Sequence, residues 1–297
     1  MPRLRCNGLE IEYESLGDPA APAILLIMGL GMQLLAWPDA FCESLVAHGY
    51  RVIRFDNRDV GLSARAGGGK RPNLLWAMLA ARLGLPQHPP YTLSDMADDA
   101  IGLIDGLEIA QAHIVGASMG GMIAQLLAAR FPERVLSLTS IMSSSGNTRL
   151  GRPKPMALKA LLSRPADAHD AEAVIDHLVR VFGVIGSPGF PPDPAELRQR
   201  LGRSVRRGYY PEGVARQLHA VIAAGDRRSL LQTIVAPTLV IHGGADPLVP
   251  PEAGRDTARN IPGAKLMLIE GMGHDLPPAL YERLAQAIVA HCVSCNL

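Results

Sequence analysis

His113-Ile114-Val115-Gly116-Ala117-Ser118-Met119-Gly120-Gly121-Met122-Ile123-Ala124-Gln125 is the stretch on which the reading of this chain turns. A short apolar run, His113 to Val115, predicts a buried strand, and the pattern after Ser118 predicts a helix with no breaker before Pro132. Between them the chain must turn sharply, with Ser118 at the apex. Gly116 and Gly120 flank the serine at i−2 and i+2, where side chains would collide across so tight a turn. The serine is expected in a strained backbone conformation that lifts its hydroxyl clear of the sheet. The Met119 amide, at the start of the helix, then points where negative charge would develop on a carbonyl attacked by Ser118. A G-x-S-x-G pentapeptide arises often by chance; the strand before it and the helix after it give it weight.

Outward from this turn, strands and helices alternate. Val135 to Met142 predicts the next strand, and Ser94 to Leu107 an amphipathic helix burying Met96, Ala100, Leu103, Ile104 and Leu107. Towards the N-terminus, Ala23–Met28 is continuously apolar, as a strand buried on both faces should be, and Tyr50–Phe55 reads as the next buried strand. Pro38 opens a helix to about His48. Leu4–Cys6 and Ile11–Leu16 form a hairpin around Asn7-Gly8. Asp56-Asn57-Arg58-Asp59-Val60-Gly61-Leu62-Ser63 reads as a polar turn locked by its own hydrogen bonds. Gly67-Gly68-Gly69-Lys70 fails as a phosphate loop, because Ala64 and Arg71 stand where glycine and a hydroxyl residue are required, and reads as a mobile loop. Asn73 caps an apolar helix, Leu74 to Leu83, which should pack over something, the site included.

From Ser143 to about Ile234 the alternation stops. Helical patterns at Met156–Leu162, Ala171–Phe182, Ala195–Arg206 and Gly213–Ala223 are interrupted by the proline-rich stretch Gly183–Pro194. Arg198, Arg200, Arg203, Arg206 and Arg207 read as a solvated helix face. The segment 143–234 is therefore expected to be a helical cap inserted into a core formed by 1–142 and 235–297. The sheet resumes with Thr238–His242 and ends with Ala264–Ile269, and Pro277 starts a closing helix.

The two resumed strands supply what Ser118 lacks. Serine is a weak nucleophile near neutrality and needs a base; histidine, with a pKa near ~6.5, suits that role. His274 follows the last strand in a glycine-rich loop, whereas His48, His169, His177 and His219 read as helix-face residues and His242 ends a strand. Asp246, after the preceding strand, is placed to orient the imidazole; Asp275, adjacent to His274, is a poor orienter. The order Ser118, Asp246, His274 differs from the orders found in chymotrypsin- and subtilisin-type proteases.

Composition bounds the rest. The 297 residues are 48% hydrophobic and 19% charged, which allows a sizeable core. Lys plus Arg, 29, nearly balance Asp plus Glu, 28, so the whole-chain charge implies neither a nucleic-acid nor an anionic-membrane partner. No run is long enough to span a bilayer and the N-terminus lacks a signal-peptide core, so a soluble, cytoplasmic protein is expected. Cys292-Val293-Ser294-Cys295 lacks a second ligand pair or redox context, and with Cys6 and Cys42 reads as reduced thiols.

With these motifs, the chain resembles α/β-hydrolase-fold serine esterases, and among them is similar to aclacinomycin methylesterase-like hydrolases. The likeness rests on Met28-Gly29-Leu30-Gly31 before Trp37-Pro38, on Phe55–Ser63, on the serine turn, on Gly243–Pro247 and on Gly271–His274. Met28 replaces the family's histidine, and Asp59 replaces a common glycine. The resemblance implies an α/β fold: a mostly parallel eight-stranded sheet flanked by helices, with the helical cap inserted before the last two strands. It implies Ser118 as nucleophile, His274 as base, Asp246 as orienting acid, and the Leu30 and Met119 amides as oxyanion donors. No cofactor or metal is required, and the expected partner is a small-molecule ester, the protein being a monomer or homodimer. The same residues also serve perhydrolysis, thioester or carbon–carbon hydrolysis, and a non-catalytic receptor on this fold is the rival of another class. Apolar cap residues, among them Leu161, Val181 and Phe182, are expected to favour apolar esters.

Overall fold

The computed structural model describes residues 2–66, 72–150 and 152–295, so the glycine-rich loop 67–70 lies outside the described residues. One sheet has the strand order β1-β2-β4-β3-β5-β6-β7-β8. Its strands are β1 Arg3–Cys6, β2 Leu9–Leu16, β3 Ala23–Ile27, β4 Arg51–Phe55, β5 Ala112–Ala117, β6 Val135–Ile141, β7 Thr238–Gly243 and β8 Lys265–Ile269. The β1–β2 and β2–β4 pairs are antiparallel; every later pair is parallel. Asn7 and Gly8, with φ of 48° and 80°, make the tight turn between the first two strands.

The helices are α1 Asp39–Ala47, α2 Leu74–Arg82, α3 Leu93–Gly106, α4 Met119–Arg130, α5 Pro155–Leu162 and α6 Ala171–Ile185. They continue as α7 Pro194–Arg207, α8 Pro211–Ala224, α9 Arg228–Leu231, α10 Pro251–Asn260 and α11 Tyr281–Val293. The continuous apolar strands feed two cores, because successive side chains point to opposite faces. Leu25 and Ile27 of β3 join the core under α3 and α4, whereas Ile24 and Leu26 join the one under α1 and α11. Register carries this framework to the sheet's carboxyl edge. Ile27 pairs with Gly116, so the loop after β3 and the turn after β5 leave the sheet side by side.

Helices α5 to α9 fill the interval between β6 and β7, as the loss of alternation predicts. Several local expectations change. Helix α6 passes through Gly183 to Ile185, because a helix interior tolerates one glycine at modest cost. Helices α9 and α10 were not expected. Helix α10 buries small or polar residues, Ala253, Gly254, Asp256 and Thr257, which leave no apolar periodicity to read. His169 lies in a loop, not on a helix. Asn73 caps α2 by accepting from the Trp76 amide, but α2 packs on α8 through Ala77 and Ala80, leaving its larger side chains exposed.

Candidate active site

Ser118 stands between β5 and α4 with φ +56° and ψ −120°, a conformation that costs a non-glycine residue on the order of 1–3 kcal/mol. The surroundings enforce it. A Cβ at Gly116 would lie 2.2 Å from the Gly120 carbonyl oxygen, and one at Gly120 only 2.0 Å from that of Ile27. The Ser118 amide donates to the Ile141 carbonyl at 2.9 Å, and Ser143 Oγ donates to the Ser118 carbonyl at 2.7 Å. Strand β6 thus holds the turn from its far side.

His274 and Asp246 meet the serine from the loops after β8 and β7. His274 Nε2 is 2.9 Å from Ser118 Oγ, and its Nδ1 is 2.7 Å from Asp246 Oδ2. Asp246 is buried, and its Oδ1 accepts from the Leu248 and Val249 amides at 2.9 and 2.8 Å. That leaves Oδ2 for the imidazole. His242 also approaches Asp246 Oδ2, at 3.7 Å, but its Nε2 bonds to the Val249 carbonyl and burial pushes its pKa down. It acts as a brace for the Asp246 loop. Asp275 does not touch the imidazole: it accepts from Ser187 Oγ, which in turn accepts from the Gly273 amide at 2.8 Å. Burial raises the Asp275 pKa.

The loop after β3 lies against the serine, since a Cβ at Gly29 would sit 3.1 Å from Ser118 Cβ. Among the described residues the Leu30 and Met119 amides donate to no backbone carbonyl. Two side chains support this loop. Asn57 Nδ2 donates to the Met28 carbonyl at 2.9 Å, and Gln217 Oε1 accepts from the Gly31 amide at 2.8 Å. Gln217 Nε2 also donates to the Arg58 carbonyl at 2.8 Å. Gly31 has φ +67° and faces Val214, so a side chain there would be both strained and crowded. Gln217 escapes sequence reading because nothing in an amphipathic pattern separates a polar residue facing a loop from one facing water.

The turn after β4 is interlocked as expected, and it also grips the inserted helices. Asp56 accepts from the Leu34 and Leu62 amides and pairs with Arg207. Asp59 takes two bonds from Arg216, each 2.8 Å, and one from Tyr91. Burial opposes ionisation of Asp59, but the Arg216 and Tyr91 hydrogen bonds overcome it and hold the carboxyl below its ordinary range. The arginine face of α7 is accordingly not uniform. Arg198 and Arg206 bridge to Glu172 at the surface, as a solvated face would, whereas Arg207 is largely buried against the core.

The chain matches the alpha/beta hydrolase fold family over residues 22–177 and the TAP-like protein family over residues 220–291. It is 34% identical to rhodomycin D methylesterase of Streptomyces peucetius, over 94% of this chain and 93% of that one. The chain belongs to the α/β-hydrolase fold family. Within the family, 3-oxoadipate enol-lactonase 2 of Acinetobacter baylyi is 27% identical over 90% of this chain and 87% of its own. The crystal structure of the enol-lactonase from Burkholderia xenovorans LB400 aligns with a TM-score of 0.68 at 26% identity, covering 99% of each chain. The meta-cleavage product hydrolase of Pseudomonas fluorescens IP01 shares the hydrolase fold, with a TM-score of 0.76 at 21% identity over 100% of this chain and 98% of that one.

Proposed function

We propose that this α/β hydrolase cleaves carboxylic esters through an acyl-enzyme on Ser118. The observation that carries the reading is the hydrogen-bonded chain from Asp246 through His274 to Ser118 Oγ, ending at a serine held in a strained turn. The methylesterase and enol-lactonase relatives support the reaction class, since a lactone is a cyclic ester. His274 Nε2 takes the Ser118 proton as Oγ attacks the carbonyl, and Asp246 stabilises the imidazolium that forms. The Leu30 and Met119 amides donate to the oxyanion. His274 then returns its proton to the departing alcohol and activates water to release the acid. Nothing in this sequence of steps requires a metal or cofactor.

The substrate class is a small to medium apolar ester. The sheet loops address only the reacting carbonyl, so the rest of the substrate must meet residues 143–234, which act as a cap. Half-buried leucines, valines and Phe182 recur in that region, and an apolar wall separates substrates by only about 1–3 kcal/mol per methylene. A fluorophosphonate probe and a panel of esters of graded acyl and alcohol size test both parts. Labelling confined to Ser118, with hydrolysis lost in Ser118→Ala, is expected; near-wild-type turnover by that variant sinks the mechanism.

A further inference from the structure

Helix α2 is built the wrong way round for a protein with water on all sides. Its small residues, Ala77 and Ala80, are buried, while Leu75, Trp76, Leu79 and Leu83 are 76%, 58%, 46% and 61% exposed. At 100° per residue these four side chains fall within an arc of about 100°, so they form one stripe. Leu85 extends it. Helix α5 also leaves Met156, Leu158 and Leu162 exposed, over a wider arc. Contiguous apolar surface of this kind marks a docking face.

The two stretches of sequence that carry these helices hold charge of a single sign, the nearest acids lying on the neighbouring elements α6 and α8. From residue 60 to residue 94 the sequence contains no Asp or Glu, and Arg65 and Arg82 are among its cations. From 143 to 166 there is again no carboxylate, while Arg149, Arg152, Lys154, Lys159 and Arg164 are all exposed. A chain whose overall charge is +1 thus places exposed cations beside its bare apolar side chains. Both helices lie beyond the carboxyl edge of the sheet. Helix α2 packs on α8, whose Val214 meets Gly31 after β3, and the Lys154 amide before α5 donates to the Pro247 carbonyl after β7.

We propose that the exposed apolar faces of α2 and α5 dock onto an anionic phospholipid surface, the leucines and Trp76 entering the interface and the cations meeting the headgroups. Apolar insertion and cationic attraction together are what interfacial helices use, and each basic residue near an anionic surface adds to the attraction. A second copy of the chain fits less well. A two-fold interface brings the same patch of both copies together, which here sets cation against cation. No helix among the described residues is long and apolar enough to cross a membrane, so the contact is peripheral. It does not depend on the hydrolytic reading.

The two tryptophans provide the probe, because Trp37 is fully buried and only Trp76 is exposed. The whole protein is mixed with vesicles of phosphatidylglycerol and phosphatidylcholine, and separately with phosphatidylcholine alone. A blue shift of the emission and co-sedimentation with the anionic vesicles alone are expected. Both should weaken as salt shrinks the screening length from about 10 Å at 0.1 M to about 3 Å at 1 M. Trp76→Phe should keep co-sedimentation and lose the shift; Leu75→Glu with Leu79→Glu should lower partitioning by about tenfold or more, with circular dichroism and Tm unchanged. Equal binding to both vesicle types overturns the proposal. So does absence of binding to the anionic vesicles, and a concentration-dependent dimer in sedimentation velocity that Leu79→Glu dissolves would then assign the face to a second copy of the chain.

Discussion

Among the described residues, Ser118 Oγ lies within hydrogen-bond reach of His274 Nε2, and the Asp246 carboxylate lies at the imidazole's far nitrogen. Asp246→Asn should therefore reduce kcat by roughly 10⁴, because the amide favours the wrong histidine tautomer. Asp275→Asn should leave most turnover, since Asp275 reaches Ser187 and not the imidazole. Kinetics of both variants on one soluble ester decide between them, and the opposite ranking would move the orienting role to Asp275. These side chains were legible in the sequence because each ends a strand beside glycines, and those glycines answer to backbone crowding. The fixing of Asp275 by Ser187 was not legible. It joins residues 88 apart through a hydroxyl that no local pattern distinguishes.

Elements meet here through buried charge as well as apolar packing. Asp59 and Arg216 are both almost fully buried, and their pair ties α8 to the turn after β4. Asp59→Ala strands the guanidinium and should cost about 3–5 kcal/mol in chemical denaturation, whereas replacing both residues by apolar ones of similar volume should restore most of it. A loss under 1 kcal/mol would mean that water reaches Arg216. Gln217→Leu removes both polar contacts of its side chain and frees the Gly31 amide. The expected result is a lower kcat for every ester in a panel, with Tm falling modestly; an effect confined to KM would count against loop support. Strands and long helices were legible because apolar runs and 3.6-residue periodicity respond to burial alone. The Asp59–Arg216 pair was not, since an acidic residue in a turn and a basic one on a helix read as solvated until the two are brought together.

The molecule as a whole should be acid-sensitive. His113 is buried on β5 with Nδ1 2.8 Å from Ser137 Oγ, and desolvation, aided by His291, lowers its pKa to about 4. The folded state keeps it neutral while the unfolded chain protonates near 6.5. Its contribution is intact above pH ~6.5 and is lost as the pH falls towards 4, amounting to about 3 kcal/mol. Burial shifts His242 and His291 in the same direction. Denaturation midpoints at pH 7.5 and 5 should differ accordingly, and His113→Gln should flatten the slope; identical pH dependence in the variant would assign the effect elsewhere.

The inserted helices are fastened at several places along the sheet. Gln33, Arg207, Arg216 and Gln217 join them near β3 and β4; the Arg227 amide bonds the Ser145 carbonyl after β6; and the His274 amide bonds the Ile185 carbonyl after β8. A body pinned across the full width of its support keeps no freedom to lift away as one piece. The stretch from 147 to 184 meets the core at the Lys154–Pro247 bond and is held to α7 by the pairs of Glu172 and Asp176 with Arg198 and Arg206 and by Val174 and Ile175 packed on Val205. Parting α6 from α7 would cost those surface pairs and the packing of Val174 and Ile175 on Val205, but no buried ion pair.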